Sequence, residues 1–75
     1  MNTSAKLIDA MMNNPSGWSI DQLQTVARSA GVGWRQRRGS HCTFTRQDGQ
    51  ILTIPAHRPI NQGYVRKFIQ FVKEG

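Results

Sequence analysis

The segment Trp34-Arg35-Gln36-Arg37-Arg38-Gly39-Ser40-His41 gathers side chains that could do chemistry. A histidine changes charge near neutral pH, so it can take a proton from a ribose 2′-hydroxyl or give one to a leaving 5′-oxygen. Arg37 and Arg38 carry guanidinium forks that match phosphate oxygens. Gly39 lets the backbone approach a phosphate closely, and the N–H groups around Gly39-Ser40 can bind one. These are the parts needed to cleave RNA without a metal. His41 would act as general base, or as acid in the reverse assignment. Arg37 and Arg38, with Arg58 or Lys67, would neutralise the charge that builds on the phosphorus. No metal and no cofactor is expected, and a single cysteine, Cys42, cannot form a Cys-based zinc site or an intrachain disulfide.

Further candidates lie downstream. His57, in Ala56-His57-Arg58-Pro59, ends a strand beside the start of the one that carries His41. It is either a second acid/base group or a loop histidine that only contacts substrate or a partner. Arg66 and Lys67 stand in the first half of a helix, although the helix dipole favours cations at the other end. That placement hints at phosphate contact and equally suits two solvated charges. Trp34 and Tyr64 are open as stacking platforms for bases, whereas Phe68 reads as core and Trp18 as a contact beside a helix start.

The charge balance narrows the class of partner. Ten Lys and Arg face four Asp and Glu, a formal charge of +6. Seven of the ten basic residues lie between Arg35 and Lys67, a stretch that holds one acid, Asp48. Such a field favours nucleic acid, an anionic membrane or an acidic protein. A membrane role is disfavoured, because the helices carry separate core stripes rather than one long basic amphipathic face. The N-terminus has no signal-peptide pattern, and no apolar run approaches the roughly 20 residues that span a bilayer. With one cysteine in addition, a cytoplasmic location is expected. At 75 residues the chain reads as one domain, 1–75, with a modest core and no room for a deep lidded pocket. Chemistry on an open surface suits a polymeric substrate.

The elements that must position these groups are legible in the periodicity. Residues 3–13 predict a helix, with Thr3 or Ser4 as cap and Asn13-Asn14-Pro15 as stop. Ser19 and Gln22 form a capping-box pattern ahead of Ile20, Leu23, Val26, Ala27 and Ala30, and Gly31 suits the residue after the helix. From Val32 the period shifts towards two, giving strands at about 33–38, 41–46 and 51–55. A three-residue Gln47-Asp48-Gly49 loop, with Gly49 left-handed, pairs Phe44 with Leu52 and Cys42 with Ile54. This register collects apolar residues on one face and leaves His41, Thr43, Thr45 and Thr53 on the other. Asn61 caps a last helix at about 62–73, whose stripe is Val65, Phe68, Ile69 and Val72. The expected fold is α+β: a three-stranded antiparallel sheet packed on helices. It has the α-β-β-β-α order of double-stranded-RNA-binding domains and an additional N-terminal helix.

Four stretches together resemble the HicA family of toxins from bacterial toxin–antitoxin pairs. They are Arg38-Gly39-Ser40-His41-Cys42-Thr43-Phe44, Asp48-Gly49, Leu52-Thr53-Ile54-Pro55-Ala56-His57 and Gly63-Tyr64-Val65-Arg66-Lys67-Phe68-Ile69. The resemblance runs from about Ile20 to Val72. It implies a double-stranded-RNA-binding-like fold, metal-independent cleavage of mRNA, and a HicB-type antitoxin that covers the active site. It also implies that the histidine of Gly-Ser-His, here His41, is catalytic. The candidate RNA contacts are then Arg37, Arg38, Ser40, Arg58, Arg66 and Lys67. Many members have a second histidine after the catalytic one, where this chain has Cys42. The helix over 3–13 is extra. The rival class is a non-catalytic double-stranded-RNA-binding module that uses the same basic surface.

Overall fold

A computed structural model of the chain describes residues 3–37, 41–57 and 59–74. The element order is α1 (Thr3–Asn13), α2 (Ile20–Ser29), β1 (Gly33–Arg37), β2 (His41–Thr45), β3 (Ile51–Pro55) and α3 (Gln62–Glu74). This is the expected α+β arrangement, with the α-β-β-β-α order following α1. Strand ends shift slightly: β2 stops at Thr45, one residue short of the reading, and residue 38 lies outside the described residues. Thr3 and Ser4, read as caps, fall inside α1, and their side chains lie outside the described ones.

Local chemistry sets the helix ends. Gln22 Oε1 accepts from the Ser19 N–H at 2.9 Å and from the Ser19 hydroxyl at 3.2 Å, which closes the start of α2. At its end Gly31 turns left-handed (φ 76°). The Val32 N–H then reaches back to the Ala27 carbonyl at 2.8 Å and the Gly31 N–H to that of Arg28 at 3.3 Å, the paired bonds of a Schellman stop. Asn61 Oδ1 accepts from the Gly63 N–H at 2.8 Å and caps α3.

The sheet is a meander in the order β1-β2-β3, antiparallel throughout. Cys42 pairs with Ile54 and Phe44 with Leu52, the register expected from the apolar pattern. The β2–β3 turn closes with Arg46 N–H to the Gln50 carbonyl at 2.8 Å, Gly49 N–H to the Arg46 carbonyl at 3.1 Å, and Gly49 at φ 90°. The buried cluster joins all the helices to the inner sheet face. It includes Met11, Leu23, Val26, Cys42, Phe44, Ile54, Ile60, Val65 and Phe68, all at most 2% exposed. Phe44 and Phe68 meet at 4.8 Å between ring centroids in a tilted pair.

Arg46 fixes the direction of α3. Its guanidinium bonds Asp48 at 2.6 and 3.1 Å, the Phe71 carbonyl at 3.2 Å and Glu74 at 3.5 Å, and it lies 4.9 Å over the Phe71 ring. The C-terminal end of α3 is thus tied to the β2–β3 hairpin. Its N-terminal end follows the loop that leaves β3 at Pro55, the cross-strand partner of His41. The loop before α3 is anchored too: the Ile60 N–H donates to the Trp18 carbonyl at 2.8 Å, and the Trp18 indole donates to the Asn14 carbonyl at 2.7 Å.

A Cβ at Gly49 would meet no atom within 4 Å, so an alanine there suffers only from its backbone conformation. Gly49→Ala is expected to cost about 1–2 kcal/mol by urea unfolding. An unchanged midpoint would show that the hairpin does not depend on the left-handed residue.

Candidate active site on the outer sheet face

Alternation along the strands divides the chain's chemistry from its core. On β2, Cys42 and Phe44 are buried, while His41 and Thr45 are exposed and Thr43 is half-buried. The register then builds three rows on the face turned away from the helices. Arg37, His41 and Pro55 form the first; Arg35, Thr43 and Thr53 the second; Gly33, Thr45 and Ile51 the third. His41 therefore opens the central strand of the sheet, exposed and flanked on both sides.

Sequence candidates separate into three groups. His41 and the register position of Arg37 are brought side by side. His57 is exposed two residues beyond Pro55, the cross-strand partner of His41, and so belongs to the same end of the sheet. Arg38, Ser40 and Arg58 lie outside the described residues, as does the side chain of Arg37. Arg66 and Lys67 are not gathered with His41. The stripe Val65, Phe68, Ile69, Phe71 and Val72 faces the core, so the exposed Arg66 and Lys67 sit on the helical layer, across the sheet from the His41 face. Arg66 lines an open groove of about 480 Å³ with Met12, Ile69, Gln70, Lys73 and Glu74. The Lys67 ammonium lies 5.6 Å over the Tyr64 ring.

The aromatic candidates turn inward. Trp34 pairs with Phe44 on the inner face, is half-buried, and carries the Arg28 guanidinium at 5.4 Å. Tyr64 is half-buried against the core. Neither stands on the face of His41.

The second row escaped assignment from sequence, although Arg35 had the same parity as Arg37. Arg35 is two residues before Arg37 and therefore shares its face. Across from it, the Thr43 and Thr53 hydroxyls lie 3.2 Å apart and share a hydrogen bond. None of the four acids belongs to this face: Asp9 lies on α1, Asp21 on α2, Asp48 in the hairpin and Glu74 at the end of α3. Among the described residues, no three or more His, Cys, Asp or Glu are grouped as metal ligands. No described helix is long and apolar enough to cross a membrane.

A family model described as the HicA toxin of bacterial toxin-antitoxin matches residues 20–72, which takes in α2, the whole sheet and most of α3, and leaves out α1. No curated protein and no solved structure matches the chain.

Cys42, next to His41, is a nucleophile by type but not by environment. Its side chain is fully buried, and its sulfur accepts from Gln24 Nε2 at 3.5 Å. Burial pushes the thiol pKa up, and the Gln24 contact offsets this in part. The thiolate needed for attack is thus disfavoured. Iodoacetamide is expected to label Cys42 at least about tenfold more slowly in the native protein than in urea. Equal rates would place the thiol within reach of solvent and of substrate.

Proposed function

The chain belongs to the HicA toxin family, and from that premise we propose that it is an endoribonuclease that cleaves mRNA by metal-independent transesterification centred on His41. Membership makes it the toxin of a bacterial toxin–antitoxin pair. The observation that carries the enzymatic reading is the position of His41. It is exposed at the head of the central strand, beside the position of Arg37 and on a face without carboxylates.

In the reaction the 2′-oxygen attacks the adjacent phosphorus and the P–O5′ bond breaks. One proton leaves the 2′-hydroxyl and one is delivered to the 5′-oxygen. His41 holds one of these proton-transfer roles. His57, at the same end of the sheet, is the candidate for the other. Arg37, Arg38, Ser40 and Arg58 would bind the phosphate and offset its growing charge. Arg66 and Lys67, on the helical layer, would engage only an RNA long enough to pass around the rim of the sheet. The products are a 2′,3′-cyclic phosphate and a free 5′-hydroxyl, so the atoms balance without a co-reactant. We further propose a HicB-type antitoxin as the partner. It would cover the His41 face, where positive charge invites an acidic inhibitor, and the pair would act in the cytoplasm.

The test is cleavage of RNA in EDTA by the parent and by His41→Ala, with the product ends identified. Cleavage should fall by at least about 100-fold in the variant while RNA binding persists. A DNA copy of the substrate should survive, since it lacks the 2′-hydroxyl. Binding without cleavage by the parent would replace the enzyme with a double-stranded-RNA-binding module, and cut DNA would overturn the mechanism.

A further inference from the structure

We propose that the outer sheet face beyond His41 is a binding track for single-stranded RNA, with Arg35 as its principal phosphate contact and the Thr43–Thr53 pair as its polar floor. The proposal rests on the reading of His41 as the reacting centre and extends it to the neighbouring nucleotide.

The geometry supplies the spacing. Arg35 pairs with Thr43, which stands two residues along β2 from His41 on the same face. Arg35 is thus the diagonal cross-strand neighbour of His41, with such pairs about 7–8 Å apart. A long guanidinium side chain from that position reaches the phosphate next to one held at His41. Arg35 is exposed and has no hydrogen-bond or ion-pair partner among the described residues, so it is available to a ligand.

The second row adds hydroxyls. A hydroxyl offers one donor and two acceptor lone pairs. The single Thr43–Thr53 bond uses one donor and one acceptor of the pair. One O–H therefore remains to donate to a phosphate oxygen or a 2′-hydroxyl, and acceptors remain for a 2′-hydroxyl donor. Along the third row Gly33 has open space above it, and Ile51 is 63% exposed, an apolar surface for a base face. Cations, free hydroxyls and an apolar end, with no carboxylate, complement a polynucleotide. A rigid duplex would meet a flat sheet at few phosphates, whereas a single strand can lie along the rows.

The experiment measures affinity for a mixed-sequence single-stranded RNA at several salt concentrations, in a His41→Ala background that cannot cut. Arg35→Ala should weaken binding about tenfold at low salt. It should also reduce the salt slope by about 0.7, the contribution of one phosphate contact on a single strand. Thr43→Val with Thr53→Val keeps the β-branched shape and should weaken binding at all salts without changing the slope. Lys6→Ala, a cation on α1, is the control and should leave affinity within about twofold.

With His41 restored, Arg35→Ala should raise KM more than it lowers kcat. An unchanged affinity and slope in Arg35→Ala would overturn the track, and so would an equal loss in Lys6→Ala, which would mean diffuse attraction. If the parent fails to cleave RNA but Arg35→Ala still weakens binding selectively, the catalytic reading falls and the track stands. If cleavage depends on His41 but binding ignores Arg35, only the track falls. Retained RNA binding with loss of antitoxin binding would assign the face to the protein partner and overturn the proposal.

Discussion

A strand has two faces, and a chain of 75 residues can bury only one of them. Everything distinctive about this structure follows from which face β2 gives to the core. The register Cys42–Ile54 and Phe44–Leu52 puts the apolar set inward. The same choice puts His41, Thr43 and Thr53 outward. A slip of one residue would exchange the sets, burying a histidine and two hydroxyls and exposing Phe44. The hairpin at Gly49 therefore stabilises more than a turn. Its left-handed residue fixes the count between Thr45 and Ile51, and with it the face on which the histidine stands.

The core and the candidate site thus do not compete for the same residues. Helices α2 and α3 cover the inner face, α1 packs on both of them, and the outer face contributes little to burial. It is free to be basic and hydroxylic at small cost in stability. Orientation comes from two polar ties that supplement the apolar contacts. Arg46 binds the hairpin to the end of α3, with Asp48 and Glu74 as its carboxylates. The neighbouring guanidinium, together with the Gln50 N–H, holds the Asp48 carboxyl below its ordinary range. At the other end, the Ile60–Trp18 backbone bond secures the loop that carries His57. The His41 end and the hairpin end are held by different chemistry.

Much of this could be read from local pattern. The capping residues Ser19, Gln22 and Asn61, the stop at Gly31 and the stripe of α3 are properties of a few neighbouring residues, and all recur in the structure. The hairpin register followed because only one loop length collected the apolar residues. What periodicity could not reveal was the relation between distant elements. Nothing near Arg46 in the chain indicates that it bonds the Phe71 carbonyl, 25 residues away. Nothing near Arg66 says that its helix face looks away from His41. Trp34 belonged to a strand whose parity was open until its partner Phe44 was known. Arg35 is the instructive case. Its parity matched Arg37, but its value became visible only once Thr43 and Thr53 stood beside it.

Two grooves among the described residues lie away from His41, one at Met12, Arg66 and Lys73 and the other at Gly31 and Asp48. On the proposed reading, orientation on the exposed face comes from contacts spread over several nucleotides, each weak and screened by salt. That arrangement suits a chain of this size, because a phosphate ladder presents the same charge at every step and needs little enclosure to be held. It also has a consequence for control. On the proposed reading, a partner that covers the face with opposite charge would silence it. An antitoxin that covers the proposed site would then be the physical counterpart of building it on the outer face of the sheet.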